Sequence, residues 1–221
     1  MKNGAKLKAK GKEVSERLSK YYPSSECALK YGGEGWKLMV MGRLSAQCTD
    51  KRVNIVCEEL FSKYTEPQEL ANAPLEELES IIRPCGLFHT KAVDIKEECK
   101  LLCEKYGGIV PETMEELLEF RGVGRKIANL LLGDLYSLPA IVADTHCIRI
   151  SSRLGFTKEN EKSPLITENT LKNCIEKEGS ADFCHRIVEF GRDICSARSP
   201  LCEKCFMTDL CDLYSKNTKK T

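Results

Sequence analysis

The sequence has almost no net charge: 34 Lys and Arg oppose 33 Asp and Glu, a formal +1. Global charge therefore does not announce a nucleic-acid partner, and any such binding must come from local patches. A long apolar run is also missing. Nothing approaches the roughly 18–20 residues of a membrane span, so no membrane association is expected. The N-terminus lacks a secretory signal, because Lys2, Lys6, Lys8, Lys10 and Lys12 lead into no apolar core. Residues 1–12 are expected to form a disordered, solvated basic tail. There is no alternating strand pattern of useful length, no repeat and no low-complexity tract.

What is present is helical periodicity. Val53, Val56, Cys57, Leu60 and Phe61 follow i, i+3, i+4, i+7, i+8 spacing. The same reading predicts helices over 14–22, 36–46, 75–82 and 89–106, then over 145–154, 167–177 and 182–195. Pro23, Pro84, Gly86 and Gly107-Gly108 act as stops. The expected fold class is all-α, with about ten helices joined by short connections. A chain of 221 residues with 42% hydrophobic content can build two small lobes with real cores.

One stretch is organised differently. Phe120-Arg121-Gly122-Val123-Gly124-Arg125-Lys126 separates two apolar helical runs. Glycine tolerates the positive φ that a tight hairpin requires. A helix starting near Gly124 would aim its first N–H groups outward, where its dipole also favours phosphate. The stretch therefore reads as a helix-hairpin-helix, about 112–137, that grips a nucleic-acid backbone without reading bases. An ordinary helical hairpin would share Gly-x-Gly, so the motif alone is weak.

Thirteen cysteines are many for a chain without an export signal, and they point to free thiols in a reducing cytoplasm. Cys195, Cys202, Cys205 and Cys211 stand apart, spaced Cys-x6-Cys-x2-Cys-x5-Cys. Too few apolar residues lie between them for a packed core, so a metal is the expected organiser. Zinc usually takes two close Cys pairs and this pattern has one. A four-iron cubane accepts other spacings. The spacing favours the cubane without excluding zinc.

Four stretches and the cysteine pattern occur in a specific order. Leu44-Ser45-Ala46-Gln47-Cys48-Thr49-Asp50 comes first, then Gly86-Leu87-Phe88-His89-Thr90-Lys91-Ala92. Gly122-Val123-Gly124-Arg125-Lys126 and Val142-Ala143-Asp144-Thr145-His146 follow. Over roughly 28–211 this set resembles the endonuclease III family of DNA glycosylases with AP-lyase activity.

The resemblance implies a two-lobed fold. A six-helix barrel would span 28–138, and a cluster lobe would combine 1–27 with 139–221. It implies a [4Fe–4S] cofactor on the four cysteines, and duplex DNA with damaged pyrimidines or abasic sites as partner. It makes Lys126 the nucleophile and Asp144 its catalytic partner. Gln47 would fill the gap left by a flipped base and Leu87 would wedge the stack. Gly122, Gly124, Arg125, Arg121 and Arg198 would meet the backbone. The protein is expected to be a monomer in the cytoplasm, nucleoid-associated in a prokaryote.

Each role has a plainer counterpart. Asp before Thr-His-Cys is a good N-cap, a first-turn lysine is usually solvated, and His146 reads as a packing residue. The sequence also departs from the family pattern. Arg121 stands where proline is usual, Cys48 where alanine is common, and Ser199 and Leu201 where basic residues are frequent. Two other readings keep the motifs: a monofunctional mismatch glycosylase, and a non-catalytic DNA-binding or electron-transfer iron–sulfur protein. The first would not need Lys126, and the second would need neither Lys126 nor Asp144.

Overall fold

The computed structural model describes residues 2–218. These residues are helical, without strands. They form two compact units, one of residues 27–136 and one joining 1–26 to 137–221.

The 27–136 unit contains α2 (Gly35–Leu44), α3 (Asp50–Lys63), α4 (Pro67–Asn72) and α5 (Leu75–Ile82), then α6 (Phe88–Tyr106), α7 (Met114–Leu117) and α8 (Arg125–Tyr136). Helix α2 is buried on nearly every side, through Trp36, Leu38, Met39, Val40, Met41 and Leu44. That is the pattern of a central helix rather than an amphipathic one. Helix α6 packs against α2, α4 and α5, presenting Ala92, Ile95, Cys99 and Leu102 to the core. Helix α7 begins at Met114, just inside the hairpin start near 112 expected from sequence, because Thr113 caps it through the N–H of Glu116. Helix α4 was not expected. Six residues are too few to show periodicity, and Glu69 secures it by accepting from the N–H groups of Thr65 and Glu66.

The other unit contains α1 (Lys2–Tyr21), α9 (Thr145–Leu154), α10 (Pro164–Cys174), α11 (Ser180–Asp193) and α12 (Asp212–Thr218). Here the expectation of a disordered tail over 1–12 is wrong. Residue 1 lies outside the described residues, but from Lys2 the chain is helix. Leu7, Gly11, Val14 and Leu18 fall on one face, and Val14 and Leu18 are fully buried. Burial of each is worth about 1.5–3 kcal/mol. At Gly11 the helix meets α10 so closely that a Cβ would stand 2.2 Å from the carbonyl oxygen of Cys174. Lys10, read as solvated, donates to the carbonyl of Leu154 at 2.6 Å and to Asp212 at 2.9 Å. The lysines hid an apolar stripe that glycine, not a large side chain, completes. Helix α10 starts at Pro164 rather than 167, because the Ser163 hydroxyl accepts from the N–H of Ile166 at 3.3 Å.

Candidate nucleic-acid interface and cluster site

The hairpin sits between α7 and α8. Phe120 and Val123 are buried and pin the turn from within, and the N–H of Val123 donates to the Phe120 carbonyl at 3.1 Å. Gly122 has φ +86°, which an L side chain would adopt only under strain. Gly124, Arg125 and Lys126 are exposed. The first turn of α8 therefore faces solvent, and its N–H groups have no intrahelical acceptors. Lys126 lies in that turn.

Gln47 and Leu87 are two of the few non-glycine residues with positive φ, at 56° and 50°. Such conformations cost about 1–3 kcal/mol and concentrate at functional sites. Both side chains are exposed, Leu87 at 56%. A core role for Leu87 is thereby excluded. The structure brings these two loops together through Lys91, which stands in the Gly86–Ala92 stretch but was given no role of its own from sequence. Lys91 is fully buried. Its ammonium donates to the carbonyls of Leu44, Ala46 and Cys85 at 2.8, 2.8 and 2.9 Å. One cation thus ties together the backbone beside Gln47 and the backbone beside Leu87. Burial lowers its pKa, and the three carbonyls satisfy all three N–H groups.

In the other unit Asp144 caps α9. Its Oδ1 accepts from the N–H of Cys147 at 2.7 Å, and its Oδ2 lies 3.1 Å from Nδ1 of His146. The carboxylate is oriented on both oxygens while 15% of its side chain stays accessible. His146 is thus a hydrogen-bonding partner of Asp144, in line with the structural role read from sequence. Arg198 is exposed on the loop between Cys195 and Cys202.

Cys195, Cys202, Cys205 and Cys211 line one cavity of about 70 Å³, closed by Ile150, Phe190, Ile194 and Met207. All four are free thiols. Four thiols converging on one cavity are the donor set of a cubane. Arg153 supports it, donating to Cys195 Sγ at 3.1 Å and to the carbonyls of Ser196 and Ala197 at 2.7 and 2.8 Å. Arg149 donates to the Cys195 carbonyl at 3.0 Å. Both arginines were missed in the sequence, where they read as solvated positions of an amphipathic helix. Donors to ligand sulfur and ligand backbone orient a metal site.

Residues 40–177 match the model of the HhH-GPD superfamily of base excision DNA repair proteins, and residues 195–211 match the iron–sulfur binding domain of endonuclease III. The chain is 40% identical to endonuclease III of Bacillus subtilis over 205 residues, 93% of each chain. It is 37% identical to that of Thermotoga maritima over 94% of each. A solved endonuclease III–DNA complex, trapped as a covalent intermediate, superposes with a TM-score of 0.87 at 40% identity, covering 94% of this chain and 96% of the other. A thermostable thymine-DNA glycosylase superposes with a TM-score of 0.86 at 21% identity, which speaks for the shared fold alone. No helix among the described residues is long and apolar enough to cross a membrane. The chain belongs to the endonuclease III family, helix-hairpin-helix DNA glycosylases and AP lyases of base-excision repair that carry a [4Fe–4S] cluster and act on DNA.

Proposed function

We propose that this enzyme removes oxidised pyrimidines from duplex DNA and then cleaves the abasic site by β-elimination, with Lys126 as nucleophile and Asp144 as its carboxylate partner. The observation that carries this reading is Lys126 itself, an exposed amine in the first turn of a helix whose N-terminus follows the Gly122–Gly124 turn. Breaking the glycosidic bond builds positive charge on the sugar, which the oriented Asp144 carboxylate stabilises. The Lys126 amine attacks C1′ and the base leaves. Opening of the C1′–O4′ bond, with a proton passing from the amine to the ring oxygen, converts the new C1′–N bond into a Schiff base, which acidifies the C2′ proton. Loss of that proton expels the 3′ phosphate. Leu87 and Gln47, held in left-handed backbone and tied together through Lys91, enter the stack vacated by the flipped base.

Cys195, Cys202, Cys205 and Cys211 hold the [4Fe–4S] cluster. When bound, the cluster joins the segment after α11 to the last turns of the chain. Arg198 reaches the DNA backbone from the loop between the first two ligands. The protein works as a monomer in the compartment that holds the chromosomal DNA.

A duplex carrying one oxidised pyrimidine tests the reading. Incubation should release the base and leave a strand break with the β-elimination end. Base release with an intact strand would instead place the chain with monofunctional glycosylases, and binding without release would remove the catalytic assignment. For the cluster, anaerobically purified protein should contain iron and sulfide, and Cys202→Ser should lose both. Stoichiometric zinc with no sulfide would overturn the ligand assignment.

A further inference from the structure

We infer that Arg121 is a positioning residue: through Asp94, itself fixed by Arg43, it holds the Gly122–Gly124 turn in one geometry before DNA arrives. The inference rests on the reading that this turn grips a phosphodiester backbone, and it assigns Arg121 a different task from the phosphate contact expected from sequence.

Asp94 lies on α6 with only 5% of its side chain exposed. Both of its oxygens are used. Oδ1 accepts from Arg121 Nε at 2.7 Å, while Oδ2 accepts from Arg43 Nε at 2.8 Å and Nη2 at 2.5 Å. Arg43 comes from α2 and is 12% exposed. One buried carboxylate therefore joins two core helices to the turn. An exposed ion pair would contribute little, but here the acceptor is buried; Arg43 keeps it paired at Oδ2, and loss of Arg121 would leave Oδ1 without its donor.

The turn rests directly on this ion-pair network. A Cβ at Gly122 would meet Arg43 Cδ and Nε at 2.7 Å and Asp94 Oδ2 at 3.1 Å. The glycine therefore serves two needs, a φ of +86° and room for the network below. Arg121 leaves the turn on the side of α6, and its side chain is 60% exposed yet fixed at Nε. Its Nε is committed to Asp94. The row of backbone N–H groups offered to a phosphate is most useful when ordered in advance.

The test uses wild-type protein, Arg121→Ala, Arg121→Pro and Asp94→Asn, with a duplex carrying a non-cleavable abasic analogue. Affinity is measured as a function of salt. Arg121→Ala should bind about tenfold more weakly, the scale of loss when a segment must be ordered on binding. Its slope of log affinity against log salt should match wild type, because no phosphate contact is lost. Arg121→Pro should recover most of the loss, since the ring fixes φ near −65° without charge, and Arg121 is not among the residues with positive φ. Asp94→Asn, which also releases Arg43, should weaken binding at least as much, and a variant combining Arg121→Ala with Asp94→Asn should be no worse than Asp94→Asn.

A slope shallower by about one, with no recovery by proline, would make Arg121 a phosphate ligand and overturn the inference. Unchanged affinity, or additive losses, would overturn it as well. If Asp94→Asn does not fold, the two Arg121 variants decide. If wild-type protein fails to bind the duplex, the functional reading fails. Amide hydrogen exchange of the free protein then decides the positioning claim. Exchange at Val123, whose N–H is bonded to the Phe120 carbonyl, should quicken several-fold in Arg121→Ala, and unchanged exchange would refute the positioning role.

Discussion

Gly11 and Cys174 touch backbone to backbone: a Cβ on Gly11 would lie 2.2 Å from the Cys174 carbonyl oxygen and 2.8 Å from its carbon. Two effects of Gly11→Ala therefore oppose each other. Alanine is favoured over glycine inside a helix by about 1 kcal/mol. The contact with α10 cannot yield cheaply, since the obstruction is main chain, and overpacking typically costs about 1–3 kcal/mol. Steric conflict should win. Gly11→Ala is expected to lower stability by up to about 2 kcal/mol in denaturant titrations, the overpacking cost less the helix gain. Equal or greater stability would mean that residues 2–12 are not docked as described.

Leu87 makes a prediction of the opposite sign. Its φ of 50° is strained for leucine and its side chain is 56% exposed. Leu87→Gly relieves the strain and removes little packing. Thermal stability should be unchanged or higher, by up to about 1 kcal/mol, whereas a buried leucine truncated to alanine would lose about 2–5 kcal/mol. Excision from duplex should nonetheless fall. A marked loss of stability with normal excision would contradict the wedge role.

These two positions also show how far the sequence could be read. The hairpin, the cap at Asp144 and the cysteine quartet were legible because each is local. Asp144 and Cys147 are three residues apart, and the whole quartet spans 195–211. The Lys91 link to the carbonyls of Leu44 and Ala46 was not legible, since it reaches back over 47 and 45 positions. The Arg43–Asp94 pair crosses 51 positions. Only the second half of α1 was legible, as the helix over 14–22; its first half was hidden because the stripe runs through Gly11, which carries no apolar signal. Helix α4 was too short for any period to emerge.

Glu98 provides a pH test of the core of the 27–136 unit. It is fully buried, and neither carboxyl oxygen has a hydrogen-bond partner. Burial pushes its carboxyl well above the ordinary range, opposed by nearby Arg43 and reinforced by Asp94. The folded protein therefore keeps a proton that the unfolded chain releases near the usual carboxylate pKa. Stability is favoured below that pKa and falls as pH rises through the raised folded value. Glu98→Gln keeps the shape without a titrating proton. It should be more stable than wild type at pH 8, with the gap closing toward pH 5. A gap independent of pH would show that Glu98 does not titrate in this way.

Asp144 both caps α9 and, in this account, stabilises charge on the sugar. Asn caps about as well as Asp, so Asp144→Asn should fold with a melting temperature near wild type. Base excision should fall by about 10²–10³, the scale for losing one charge-stabilising group. Lyase action on a preformed abasic site should suffer less, because no glycosidic bond remains to break. Unfolding of the variant would make Asp144 chiefly structural.

The nucleophile is tested most directly by borohydride trapping. Wild-type protein and Lys126→Gln are each mixed with abasic duplex and borohydride, and the covalent protein–DNA adduct is resolved by mass. Glutamine keeps much of the length and the hydrogen bonding but has no nucleophilic amine. Wild type should give a stable adduct whose crosslinked peptide contains Lys126. Lys126→Gln should give none, while still binding the duplex through the backbone of the Gly122–Gly124 turn. An adduct of wild-type yield in Lys126→Gln would place the nucleophile on another amine and contradict the account.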